Sequence, residues 1–372
     1  MSREAKGPII PFLASIVLAS LVTVACSRAA PTISTQAPVA PSPGRTMEQI
    51  KGPTPQSVTP TPPKPTNASE PLDFPTRGKP ITIIVPWDAG GGADVISRII
   101  AAGMERDLGT PVQVVNKPGG GTQVGLTEFV RAKPDGYTLG TTNLTTTILT
   151  YLDPERKAIY SRKDFAPLAN IAWDTTDIAV KAASPYKTTK DLVDAAKARP
   201  LKVTMGDSGL MTSPHIDQLR FAKVAGAQFA PVHFSGGTTM ITALLGGQVE
   251  AVCTGIGSIA PSIRGGQARL LGVMSEKPVS HVPDVPTMES QGYKIYAGST
   301  RSFSAPAGTP KEILTRLSQS VKRAMETDEA KKNIAETLLE ARYMDPDQFS
   351  SYWAQAEEEV KDIIEEAKKQ AQ

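Results

Sequence analysis

The stretch that most constrains this chain is ITIIVPWDAGGGADVISRIIAAGM, from Ile81 to Met104. Ile81 to Val85 is β-branched almost throughout and does not alternate with polar residues, as in a strand buried on both faces of a parallel sheet. Val95, Ile96, Ile99, Ile100, Met104 and Leu108 then recur at three- and four-residue spacing, which predicts an amphipathic helix. The unit is therefore strand, glycine loop, helix. Such a loop presents unpaired backbone N–H groups at the positive end of a helix dipole, where an anion is favoured. The alternative is that the glycines only permit a tight turn, with Asp94 capping the helix.

Nucleotide phosphates do not fit that loop. A dinucleotide fingerprint starting at Gly90 needs glycine where Val95 stands, and a phosphate loop starting at Gly120 needs lysine where Leu126 stands. No cofactor is expected.

The same alternation continues along the chain. Strands are expected at Val112–Val115, Tyr137–Thr141, Leu168–Ala172, Asp177–Val180, Lys202–Met205, Ala230–Phe234, Val249–Cys253 and Leu270–Met274. Between them lie helical stretches, among them TTKDLVDAAKARP with its hydroxyl caps and terminal proline. Two helices are expected after Ala305, the last with an apolar stripe of Phe349, Trp353, Ala356, Val360, Ile363 and Ile364 that suits docking on a core and not crossing a membrane. The pattern is α/β, with loops rich in Gly, Ser and Thr at the carboxyl ends of strands, where open parallel sheets bind ligands. No internal repeat has a fixed period.

The first residues read differently. Arg3 and Lys6 precede an apolar segment from Ile9 to Ala25, ending Thr23-Val24-Ala25-Cys26, so residues 1–25 have the form of a secretory signal. This end resembles a bacterial lipoprotein signal, which implies lipidation of Cys26, although Thr23 stands where leucine is usual. Proline recurs through the segment that follows, which has no aromatic residue from Ala30 to Asp73. Such a composition cannot bury enough apolar surface to order itself, so residues 26–75 are expected to be a tether.

Of the two cysteines, Cys253 would then be the only thiol left, placed among apolar neighbours, so no disulfide is expected. The formal net charge is +3, and cleavage after Ala25 removes Arg3, Lys6 and Glu4, leaving +2. A charge so near neutral, with no basic block, gives no sign of a nucleic-acid partner.

Groups for catalysis are scarce. The three histidines, His215, His233 and His281, form no metal motif, and no metal is expected. GDSGL at Gly206 falls one residue short of a hydrolase nucleophile elbow, because Leu210 replaces the second glycine. Hydrogen-bond donors are plentiful instead: backbone N–H groups at Gly91 and Gly92, hydroxyls at Thr145, Thr146, Ser208, Thr212, Ser213 and Thr238, and the amide of Asn143. Neutral donors together with helix dipoles suffice to hold a carboxylate.

The blocks IIVPWDAGGGADVISR, VVNKPGGGTQVG, KPDGYTLG, SGLMTSPH, ALLGGQVEA, HVPDVPTMESQGY and APAGTPKEI occur in the order found in one family. From about Ile81 onward the chain resembles the extracytoplasmic solute receptors of tripartite tricarboxylate transporters, or Bug proteins. The resemblance implies a periplasmic-binding-protein-like Venus flytrap of type II, each lobe a sheet flanked by helices. Residues 76–175 plus 285–372 would form one lobe and 176–284 the other. It further implies a monomeric, non-enzymatic, extracytoplasmic receptor, lipid-anchored to the membrane, that captures a small carboxylic acid between its lobes and delivers it to membrane permease subunits.

Carried over residue by residue, Trp87, Gly90, Gly91, Gly92 and Asp94 would clasp a carboxylate from the first lobe, with Thr146 beside them. Ser208, Gly209, Thr212 and Ser213 would offer donors from the second lobe, and Gly237 and Thr238 would line the far wall. Ala93 and Asp207 stand where hydroxyl residues are common in the family. Trp87, Leu210 and Met211 are bulkier than usual, which suggests a ligand with an apolar or aromatic body. Asp88 and Asp207 would repel a second carboxylate unless turned outward, or would instead receive a ligand amino group. The competing reading is an α/β hydrolase-like enzyme using Ser208 or Ser213; a third is a structural surface lipoprotein with no small-molecule ligand.

Overall fold

The computed structural model describes residues 73–370. The signal segment, Cys26 and nearly all of the tether lie outside them. The chain begins its alternation with β1 (Ile81–Val85), α1 (Gly92–Leu108), β2 (Val112–Asn116), α2 (Gln123–Val130), β3 (Thr138–Thr141) and α3 (Thr146–Leu152). β1 lies between β2 and β3, parallel to both, and only Thr82 of its residues is not fully buried, as its unbroken β-branched run predicts.

β4 (Phe165–Lys181) organises the rest. Two separate strands were expected here, at Leu168–Ala172 and Asp177–Val180; the chain runs through both as one. Nothing between them breaks a strand, and every intervening residue has a cross-strand partner: Trp173 opposite Thr300, Asp174 opposite Ser299, Thr175 opposite Gly298 and Thr176 opposite Gly255. Up to Thr175, β4 pairs antiparallel with β9 (Gly298–Pro306), which in turn pairs with β3. From Thr176 onward it pairs with β7 (Ala251–Gly255) and β8 (Ala268–Val273). One strand thus belongs to two sheets, and the chain returns to the first at Ala297–Gly298, beside the crossing point, where Thr176 N–H donates to Ala297 O at 3.1 Å.

The second sheet is completed by β5 (Thr204–Asp207) and β6 (Ala230–His233), parallel to each other, with β5 also parallel to β7. Its connections are α4 (Thr189–Ala198), α5 (Ser213–Ala225), α6 (Gly237–Gly246) and α7 (Ile256–Arg264). α4 starts where its sequence says it should: Thr188 and Asp191 cap each other reciprocally, at 3.1 and 2.9 Å. α7 escaped the sequence reading because Gly257 and Pro261 sit inside it.

After β9 the chain holds more than the two helices expected: α8 (Lys311–Glu326), α9 (Asp328–Glu336), β10 (Glu340–Met344) and α10 (Pro346–Gln370). β10 pairs antiparallel with β4, and its mixed sequence EARYM carries little apolar signal. Phe349, Trp353, Ala356, Val360 and Ile364 of α10 are buried in one cluster with Phe129, Tyr160 and Phe165, so that stripe does dock on the core. Among the described residues no helix is long and apolar enough to cross a membrane. Cys253 is buried and free in the core of the second sheet.

Candidate functional site

A narrow cleft lies where loops from both sheets meet. Its first wall is the turn after β1. Gly90 has φ +79°, a left-handed conformation that suits glycine, and Gly91 caps α1. Asp94 fixes the turn from behind: its Oδ2 accepts from Gly90 N–H at 2.8 Å and from Arg98 Nε at 3.0 Å. Burial opposes its charge, but hydrogen bonds from Arg98, the Gly90 N–H and Asn116 hold the Asp94 carboxyl below the usual carboxylate range. Asn116 Nδ2 in turn donates to Trp87 O at 3.1 Å.

The second wall is the turn between β5 and α5. Asp207 Oδ1 accepts from Gly209 N–H at 2.9 Å, and Asp207 Oδ2 lies 2.8 Å from His233 Nδ1. His215 Nδ1 accepts from Met211 N–H at 3.0 Å, which supports Met211 at φ +55°. Burial pushes the Asp207 carboxyl up to about 6 and the His215 imidazole down to about 4, the latter helped by the neighbouring His233 and Arg156 charges. The sequence held no metal motif, yet one ligand atom from each of Asp207, His215 and His233 lies within 4.8 Å of the others. His215 could join such a site only by giving up the bond from Met211 N–H, because a ring whose Nδ1 accepts carries its proton on Nε2.

Hydrogen bonds bridge the two walls. Ser213 N–H donates to Thr146 Oγ1 at 2.9 Å, and Thr238 Oγ1 donates to Ala89 O at 2.9 Å. Asp88 Oδ2 accepts from Ser235 Oγ at 3.0 Å and Thr239 Oγ1 at 3.2 Å. Arg156, from the first half, donates to Gly120 O at 2.9 Å and also to Leu210 O in the second.

Of the residues singled out in the sequence, Trp87, Gly91, Gly92, Ala93, Asn143, Thr146, Ser208, Ser213 and Gly237 line the cleft, and Thr145 does not. Gly90, Asp94, Gly209, Thr212 and Thr238 are not among its lining residues; they shape or tie the loops that are. Leu210 and Met211 do not line it either, and Asp88 and Asp207 are turned to the partners described above. Sequence reasoning did not single out Asp174, Thr176, Thr254, Ser258, Ser299 and Arg301, all of which line the cleft. They sit at the crossing of β4, at the end of β7 just past the expected Cys253, on β9 and at the start of α7, places the sequence did not mark.

Ser213 Oγ lies 3.2 Å from Asp217 Oδ2. Among the described residues neither Ser208 nor Ser213 is hydrogen-bonded to a histidine, the first requirement for an activated serine.

Two α/β halves that share a crossing strand and enclose a cleft at the ends of their strands have the architecture of periplasmic solute-binding proteins. More particularly, residues 96–368 match the model of the tripartite tricarboxylate transporter family receptor, and the chain belongs to that family. It is 33% identical over 297 residues to the UPF0065 protein in the gbd 5' region of Cupriavidus necator, covering 78% of this chain and 88% of that one. It is 29% identical over 260 residues to BugT of Bordetella pertussis, covering 68% and 78%. Among solved structures it resembles the periplasmic binding protein BugD, with a TM-score of 0.74 at 25% identity, covering 79% of this chain and 98% of that one. It also resembles R. palustris Rpa4515 with adipate, with a TM-score of 0.73 at 25% identity and the same coverage.

Proposed function

We propose that the protein captures a small carboxylic acid in this cleft and delivers it to a tripartite tricarboxylate-type permease, acting as a receptor and not as an enzyme. One observation carries the reading: the first residues of three helices, Gly92 of α1, Ser213 of α5 and Gly237 of α6, line the same cavity from both sheets. The starts of α1 and α6 offer backbone N–H groups and the positive end of a dipole, the setting that favours an anion over water; α5 adds its dipole alone, since Ser213 N–H is held by Thr146 Oγ1 and Pro214 has no N–H. That the related Rpa4515 was solved with adipate supports the ligand class. The family's description as a transporter receptor supports delivery to a permease.

The two sheets, divided at Thr175/Thr176 and rejoined at Ala297/Gly298, act as lobes that close on the acid, with the bridging hydrogen bonds belonging to the closed form. Cys26, lipidated after removal of residues 1–25, anchors the receptor outside the cytoplasm. Thermal denaturation against a panel of mono- and dicarboxylates tests the ligand class. At least one acid raises the melting temperature in proportion to the logarithm of its concentration; a panel that leaves it unmoved overturns the reading. Ester turnover abolished by substituting Ser208 or Ser213 would establish the hydrolase instead.

A further inference from the structure

The cleft also carries charges that a grip made of helix starts does not need. Asp174 and Arg301 both line it, exposed by only 1% and 7%. Arg301 Nη2 donates to Asp174 Oδ2, and Arg301 Nη1 donates to Asn143 Oδ1 at 2.9 Å. The Arg301 Nε–H is buried and has no partner. Asp174 Oδ1 accepts from Gly257 N–H at 3.0 Å, so the start of α7 is already occupied by a carboxylate of the chain itself. The seat is shaped for it: a Cβ at Gly255 would overlap the Asp174 carboxylate.

This buried pair is neutral as a whole and offers an acceptor beside an unused donor. A second ligand carboxylate arriving here meets Asp174, and gains Arg301 only by displacing Asp174 into an uncompensated burial. A ligand ammonium meets Arg301, and cannot accept from its Nε–H. A hydroxyl escapes both penalties, because it donates to Asp174 and accepts from Arg301 at once. The neighbouring walls, Thr176, Ser258 and Ser299, add further hydroxyl partners and no charge.

We infer that the ligand is a hydroxylated monocarboxylate, its carboxylate at the helix starts and its hydroxyls at the Asp174–Arg301 pair, which is the specificity-determining element. This rests on the carboxylate reading above. It also replaces the apolar or aromatic body expected from Trp87, Leu210 and Met211: of the three only Trp87 lines the cavity.

Isothermal titration of the full chain with four six-carbon acids tests it: gluconate, hexanoate, adipate and 6-aminohexanoate. Gluconate is expected to bind at least tenfold more tightly than the other three. Asp174→Asn frees the charge of Arg301, so adipate should gain at least tenfold and gluconate should weaken. If that variant does not fold, the uncharged pair Asp174→Asn with Arg301→Gln serves, and should compress the differences among the four acids to less than threefold. Wild-type protein that binds adipate, hexanoate or 6-aminohexanoate as tightly as gluconate overturns the inference alone, as does an order of affinities indifferent to Asp174. Absence of binding by these acids and by the whole carboxylate panel overturns the carboxylate reading with it.

Discussion

The turn after β1 and the turn after β5 do the same task by different means. Each carries a helix start to the cleft, α1 at Gly92 and α5 at Ser213. The first is held by Asp94, whose carboxyl stays ionised because Arg98 and the Gly90 N–H favour its charge. The second is held by Asp207 and His215, buried groups that titrate near 6 and 4 and hold Gly209 and Met211 by their backbone N–H groups. The first turn should therefore be indifferent to mild acid, and the second should not. A receptor built this way keeps one half of its grip fixed while the other answers to pH.

The strongest test of the first turn is steric. A Cβ at Gly92 would lie 3.1 Å from the backbone of Gly257 and Ser258, which belong to α7 across the cleft. Gly92→Val adds two further carbons at that contact, and backbone cannot yield as a side-chain tip would. The substitution should hold the halves apart and eliminate ligand-induced thermal stabilisation, with stability of the unliganded protein falling by about 1–3 kcal/mol. Retained ligand affinity would mean that the two halves need not approach here.

The second turn is tested by pH. Unfolded, His215 takes up a proton near pH 6.5; folded, burial keeps it neutral down to about 4. Between these values the unfolded chain binds more protons, so His215 makes stability fall as pH drops through that window, by on the order of 3 kcal/mol at most. Asp207 and Asp217, both raised to about 6 chiefly by burial, act in the opposite sense: the folded chain binds more protons between about 4 and 6, which adds stability as pH falls. His215→Asn removes only the first contribution. Urea denaturation at pH 7, 5 and 4 should therefore show wild type losing stability relative to the variant as pH falls. A difference that stays constant with pH would refute the role given to His215.

Much of the first turn was legible in the sequence because its chemistry is local. A β-branched run, three glycines, an aspartate and an i, i+3, i+4 stripe lie within one continuous stretch, and the structure uses them in that order. The second turn was only half legible. Ser208 and Ser213 could be singled out as donors, but the groups holding them converge from different elements: Asp207 from the end of β5, His233 from β6 and His215 from α5. Asp174 and Arg301 were least legible of all. They meet only because β4 and β9 pair in one register, with Asp174 opposite Ser299 and Trp173 opposite Thr300. β9, GSTRSFSAP, hides that pairing: it is buried almost throughout yet filled with small polar residues, so neither periodicity nor hydropathy marks it as a strand.

A milder substitution measures how firmly the first turn is held. Asp94→Ala removes the acceptor for Gly90 N–H and the partner of Arg98, whose Nη2 lies 2.9 Å from Asp94 Oδ1. Arg98 is about half exposed, so water screens much of the ion pair, and most of the effect should come from the part-buried bond of Gly90 N–H to the Asp94 carboxylate. A loss of about 1–2 kcal/mol is expected in urea denaturation, unchanged from pH 7 to pH 5. A loss that shrinks as pH falls over this range would show Asp94 titrating there, and would erase the contrast between the two turns.

The smallest effect belongs to a bond that joins the turns. Thr238, near the start of α6, donates its hydroxyl to Ala89 O in the first turn at 2.9 Å, at an exposed position. Thr238→Val keeps the branching and nearly the volume while deleting the donor, so neither half loses core packing. The bond exists only when the halves are together, so its loss should not change the stability of either half alone. It should weaken ligand binding instead, by about 0.5–1 kcal/mol, or roughly two- to fivefold in Kd. Titration calorimetry resolves such a change, and it should appear chiefly as faster ligand release, since a closed-state contact slows opening more than it speeds encounter. Unchanged affinity together with unchanged release would place this hydrogen bond outside the step that closes the receptor, and leave Asp88, Arg156 and the Ser213–Thr146 bond to hold the halves together.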